Sequence, residues 1–180
     1  MTEVFPPSED GYERLWTPHR GAYIGGESKP ATSGEDDCPF CLAHGGDDET
    51  KLIVARGEST FVLLNLYPYN SGHLLVCTNR HVAAYVDLTP GERQEMGEMT
   101  ARAMRTLSAV YEPAGFNLGM NQGAVAGAGI AAHIHQHIVP RWQGDANFFP
   151  IVGQTKALPY LLGETRGKLA AAWQEDTTHA

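Results

Sequence analysis

The stretch His133-Ile134-His135-Gln136-His137-Ile138-Val139-Pro140-Arg141 decides the fold. Its histidines recur at every second position, and alternate residues of a strand share a face. The pattern therefore predicts a strand over 133–141 with three imidazoles on one side and Ile134 and Gln136 on the other. Three imidazoles on one face can bind a metal, carry out nucleophilic or acid–base chemistry, or divide those tasks. The competing reading is a histidine-bearing surface strand or an adventitious metal site. The strict period and the neighbouring glycine loop weigh against it.

That loop, Gly123-Ala124-Val125-Ala126-Gly127-Ala128-Gly129, lies just upstream. Glycines let successive N–H groups converge on one anion, so the loop fits a phosphate nest beside the imidazoles. A plain flexible connection is the alternative. The spacing is neither that of a P-loop nor that of a dinucleotide fingerprint.

Further upstream the chain reads as strands and one long helix. Lys51–Arg56 and Thr60–Leu66 flank a Gly57-Glu58-Ser59 turn, and a loop over Tyr67–Gly72 leads to a strand at His73–Thr78. Thr89, Pro90 and Glu92 form a helix start with a capping box. Met96, Met99, Ala103, Leu107, Val110 and Tyr111 make one apolar stripe, and Pro113 and Gly115 end the helix. Phe116, Leu118 and Met120 alternate with Asn117, Gly119 and Asn121, as in a half-buried strand. The tail from Lys156 to about Glu175 reads as helix interrupted at Pro159 and Gly163. The expected fold class is α+β, an antiparallel sheet flanked by helices.

Two polar segments, 1–14 and 25–50, look loose. Between them Leu15–Ile24 carries aromatics suited to docking. The expected organisation is a flexible N-terminal tail at 1–14 and a single domain over 15–176. Cys38-Pro39-Phe40-Cys41 interrupts the second polar segment. A Cys-x-x-Cys pair is half of a zinc site, which needs two more ligands. His81 and one histidine of the triad are the candidates. A redox pair or idle thiols are the alternatives, and no thioredoxin-like pattern surrounds the motif. Cys77 reads as a small buried hydrophobe.

Composition narrows the function. The 180 residues include 13 Lys and Arg against 21 Asp and Glu, a net charge of −8. That balance disfavours binding to a nucleic-acid backbone. Hydrophobic residues at 42% suffice for a core, and no apolar run reaches the length of a membrane span. Three cysteines and an acidic, proline-bearing N-terminus fit a cytoplasmic protein with reduced thiols.

Three segments together resemble the histidine-triad (HIT) family. They are Asn65-Leu66-Tyr67-Pro68-Tyr69-Asn70-Ser71-Gly72-His73-Leu74-Leu75-Val76, the loop Asn121–Gly129, and the triad running on to Trp142. The extension Pro140–Phe148 looks like a bacterial branch that includes actinobacterial diadenosine tetraphosphate phosphorylases and related hydrolases. The resemblance implies a HIT-like sheet and a nucleotidyl hydrolase or transferase. It would act at the α-phosphate of adenosine nucleotides, diadenosine polyphosphates first among them. It also implies His135 as the nucleophile, with His137 and His73 supporting it. Asn65, Asn121, Gly127, Gly129 and His137 would contact the nucleotide. Cys38, Cys41, His81 and His133 would hold one structural zinc. No organic cofactor is expected, inorganic phosphate is a possible co-substrate, and a homodimer is implied.

Two departures stand out. The residues Gly127–Ala132 carry no side-chain donor, and Gln136 stands where relatives are apolar. The first feature keeps a nucleotide-sensing module with weak or no catalysis as an alternative. A hydrolase whose triad binds a catalytic metal is a third reading, disfavoured because the cysteine pair offers zinc a better home.

Overall fold

The computed structural model describes residues 34–145 and 158–176. The expected N-terminal tail and the docking segment Leu15–Ile24 lie outside these residues.

Helix α1, Pro39–His44, is followed by strands β1 (Ile53–Arg56), β2 (Thr60–Leu64) and β3 (Leu74–Thr78). Helix α2 (Pro90–Tyr111), strands β4 (Gly115–Gly119) and β5 (His135–Arg141), and helix α3 (Leu162–Glu175) complete the order. The strands form one antiparallel sheet in the order β1-β2-β3-β5-β4. The α+β expectation holds.

Every residue of β2 and β3 is buried, because both faces of the sheet are covered. Val62, Leu64, Leu74, Val76 and Ile138 pack beneath α2 and α3 against Met96, Ala103, Leu107, Leu169 and Trp173. Phe61, Leu63, Leu75 and Cys77 face the other way and pack on Cys38, Phe40 and Ala43 of the α1 segment. The polar 25–50 stretch is therefore ordered where it is described. Three apolar side chains anchor it, and Arg56 ties its far end by donating to the carbonyls of His44 and Gly46.

Helix α2 begins as its sequence predicts. Thr89 accepts from the Glu92 amide at 3.2 Å and Glu92 accepts from the Thr89 amide at 2.8 Å. Its stripe is buried from Met96 to Leu107. Glu112, with φ +46, ends it ahead of Pro113.

Several expected boundaries shift. Strand β1 starts at Ile53 because Leu52 adopts φ +59, which no strand residue can hold. Strand β2 stops at Leu64 because the Asn65 side chain accepts from the Tyr67 amide and turns the chain. Strand β5 starts at His135, since the Ile134 amide bonds the Val82 carbonyl instead of a neighbouring strand. Strand β4 is an edge strand whose exposure does not alternate: Asn117, Leu118 and Gly119 are all exposed. The C-terminal helix starts only at Leu162, so Pro159 precedes it and Gly163 sits in its first turn.

Candidate functional site

Strand β5 pairs with β3 so that His135 lies opposite Cys77 and His137 opposite Leu75. Cross-strand partners share a face, so both imidazoles project onto the α1 side. Gln136, opposite Val76, projects onto the α2 side and donates to Thr100 Oγ1 at 2.9 Å. A cavity of about 320 Å³ on that reverse face is lined by Tyr85, Arg93, Met96, Gly97, Met120 and Gln136, away from the imidazoles.

His135 is 6% exposed, with its Nδ1 2.8 Å from the His133 carbonyl oxygen. A carbonyl can only accept, so Nδ1 carries the proton and Nε2 keeps an in-plane lone pair. Burial lowers the His135 pKa, so the ring is neutral at pH 7. Phe40 packs on it with centroids 4.8 Å apart.

His137 and His73 form a second unit. His73, fully buried, accepts at Nδ1 from the Tyr69 amide at 3.0 Å, with the Asn65 Nδ2 also 3.3 Å away. Its proton therefore sits on Nε2, which lies 2.9 Å from His137 Nδ1. His137 accepts there and carries its own proton on Nε2. Burial, and next the nearby His135, lower His137 to about 4. Its ring stands 5.0 Å from that of His135, and Tyr69 stacks on it at 5.6 Å.

His133 sits just before the strand. Its Nε2 lies 2.9 Å from the Thr78 carbonyl, which places the proton there and turns the Nδ1 lone pair towards the cysteines. That Nδ1 is 3.4 Å from Cys38 Sγ and 3.5 Å from Cys41 Sγ, and His81 Nδ1 is 3.2 Å from Cys41 Sγ. Ligand atoms of all four residues lie within 4.8 Å of one another. With Zn–S near 2.3 Å and Zn–N near 2.0 Å, a tetrahedral S···N edge is about 3.5 Å. The spacing fits a four-coordinate metal. Burial brings His133 down to about 4, the neutral form that a metal takes. Burial, with the Cys38 thiol beside it, pushes Cys41 up to about 11. Two adjacent thiolates here need a cation to be stable.

The other expected contacts divide. Asn65 lies just past β2 against His73. Asn121 lies two residues beyond Gly119, the β4 partner of His137, and makes no side-chain hydrogen bond among the described residues. The glycine loop is not a slack connection. Gly123, at φ +79, and Gly127, at φ +86, bracket a one-turn 3₁₀ helix, Ala124–Ala126. The amides of Ala126, Gly127 and Ala128 bond back to Gly123 and Ala124. Gly127 thus spends its N–H inside the loop. Among the described residues, the amides from Gly129 to Ala132 have no protein partner.

Phe40, Tyr69 and the Thr78 carbonyl escaped sequence reasoning. The aromatic between the two cysteines was the one visible signal.

A model of the HIT domain matches residues 47–144. The chain belongs to the histidine-triad family. A Mycobacterium tuberculosis relative named AP-4-A phosphorylase is 44% identical over 167 residues, covering 91% of this chain and 86% of that one. The asymmetrical bis(5'-nucleosyl)-tetraphosphatase of Schizosaccharomyces pombe is 31% identical, covering 52% of this chain and 50% of its own. Among solved structures, a Zn-bound histidine-triad family protein from Mycobacterium smegmatis superposes with a TM-score of 0.65. It is 26% identical and covers 81% of this chain and all of its own. The HIT fold is thus shared well beyond the triad itself.

Proposed function

We propose that this HIT protein cleaves diadenosine polyphosphates at the α-phosphorus through a covalent nucleotidyl-histidine. The observation that carries the reading is the bond from His135 Nδ1 to its neighbour's carbonyl, which leaves Nε2 as an unprotonated nucleophile at pH 7. Nε2 forms the N–P bond as the P–O bond to the departing nucleoside polyphosphate breaks. The His133 carbonyl stabilises the positive charge that develops on the ring. His137 presents Nε2–H to the phosphoryl or leaving oxygens. The amides of Gly129–Ala132 take the place of the absent side-chain donor. Asn65 and Asn121 hold the nucleotide, with the 127–129 glycines shaping the approach.

The intermediate is then attacked by inorganic phosphate or by water. The mycobacterial phosphorylase makes phosphate the first attacker to test. Diadenosine tetraphosphate should give ATP plus ADP with phosphate present. ATP plus AMP without phosphate would assign an asymmetrical hydrolase. His135→Ala should lower turnover by several orders of magnitude and abolish the adenylyl adduct. The missing donor at 127–132 favours a second reading, a nucleotide sensor. It prevails if wild-type protein binds the dinucleotide yet yields neither product nor adduct.

One structural zinc per chain, on Cys38, Cys41, His81 and His133, belongs to the same proposal. Four protein ligands leave no open position for substrate. No organic cofactor enters the scheme. We further infer a cytoplasmic homodimer. The three free cysteines fit a reducing compartment, and no described helix is long and apolar enough to cross a membrane. The outer edge of β4, unpaired among the described residues, offers a place for a second copy.

A further inference from the structure

Tyr69 holds both members of the supporting pair, its amide on His73 Nδ1 and its ring on His137. The next residue, Asn70, ties down the turn that carries Tyr69. Asn70 Nδ2 donates to Asp145 Oδ2 at 2.8 Å and to the Pro140 carbonyl at 3.0 Å. The Asn70 carbonyl accepts from the His73 amide at 3.2 Å. Asp145 is itself fixed, with Arg141 Nε at 2.6 Å, Arg141 Nη2 at 2.8 Å and the Trp142 amide at 3.1 Å. The turn 67–72 is thereby tied to the end of β5, the strand that carries His135 and His137.

We propose that Asn70 and Asp145 form a positioning clasp that sets which nitrogen of His137 carries the proton. The inference rests on the role given to His137 above. While the clasp holds, the Tyr69 amide stays on His73 Nδ1, so His73 must donate and His137 must accept at Nδ1. His137 then shows N–H to the phosphate. Without the amide, the longer Asn65 Nδ2 contact at 3.3 Å holds His73 Nδ1 less firmly, and the opposite tautomer of the pair gains population. In that tautomer His137 shows a bare lone pair to phosphate oxygens, and an attraction becomes a repulsion.

Full-length, metal-loaded protein tests this. Asn70→Ala removes the donor. Asn70→Asp sets a carboxylate against a carboxylate. Combining Asn70→Asp with Asp145→Asn removes that like-charge contact but leaves the Pro140 carbonyl without its donor. Nitrogen-15 shifts of His73 report its tautomer, amide exchange of Tyr69 reports the bond, and diadenosine tetraphosphate turnover reports the consequence. Both single variants should show mixed His73 tautomers and Tyr69 exchange at least about tenfold faster. Their kcat should fall roughly tenfold or more, with KM little changed. The swap should recover all three in part, ahead of Asn70→Asp alone. A wild-type His73 tautomer and protected Tyr69 in Asn70→Ala overturn the proposal, as does full turnover beside a mixed tautomer. Absent turnover in the wild type removes the parent reading alone, and the exchange and tautomer readouts still decide the clasp.

Discussion

Cys38 shows how much hangs on single atoms. It is fully buried and its sulfur lies 3.4 Å from His133 Nδ1. Exchanging sulfur for oxygen in Cys38→Ser replaces a thiolate with a neutral hydroxyl of similar size. Loss of an outer-shell partner costs roughly 10–100-fold in metal affinity, and loss of a ligand should cost more. Metal analysis should find about one zinc per chain in the wild type and far less in the variant. Turnover should fall with it, because His133 orients the nucleophile through its carbonyl. A wild type purified natively without metal would refute the assignment. At this scale the sequence was generous about side chains and silent about backbone. The triad, His73 and the cysteine pair are visible as letters. The carbonyls of His133 and Thr78, which set two tautomers, belong to no residue type and show only in three dimensions.

Among the elements, α2 was legible to its first residue because its start is local chemistry: Thr89, Pro90 and Glu92 meet within one turn. The strand ends were not, since tertiary partners decide them. His133 leaves β5 only because Val82 offers Ile134 a carbonyl. Glu92 also does something its capping pattern could not reveal. It accepts from Arg80 at 2.8 and 3.0 Å, tying the His81 loop to the helix. That guanidinium first, and the Thr89 contacts next, bring the carboxyl from an ordinary 4.5 to about 2. A lowered carboxyl pKa adds stability above the unfolded value and loses it as pH falls through the folded one. The stability gap between wild type and Glu92→Gln should thus be flat from pH 7 to 5. It should then close towards pH 2. At pH 7 it should be about 0.5–1 kcal/mol, the half-exposed ion pair with Arg80, because glutamine keeps the capping bond. Denaturant titrations across that range check it.

For the molecule as a whole, the two edges of the sheet differ. At β1 the chain covers itself, with Arg166 Nε of α3 donating to the Ile53 carbonyl at 2.7 Å. At β4 no described strand pairs with the outer edge, and Leu118 is exposed beside it. An uncovered edge strand is a template for another chain. Leu118→Glu should turn a wild-type homodimer into a monomer in sedimentation while the circular dichroism stays unchanged. A monomeric wild type at tens of micromolar would reject the dimer. Oligomeric state was beyond the sequence because the pattern of β4 reads identically whether solvent or a second copy covers it.

His133 belongs to two structures at once. Its imidazole joins the cysteines and its carbonyl joins His135, the proposed nucleophile. On the proposed zinc assignment, loss of the metal would reach His135 as well. A lineage that drifted away from Cys38 or Cys41 would inherit a loosened carbonyl beside its nucleophile. It would keep its chemistry only by acquiring a new brace for that carbonyl in the same step.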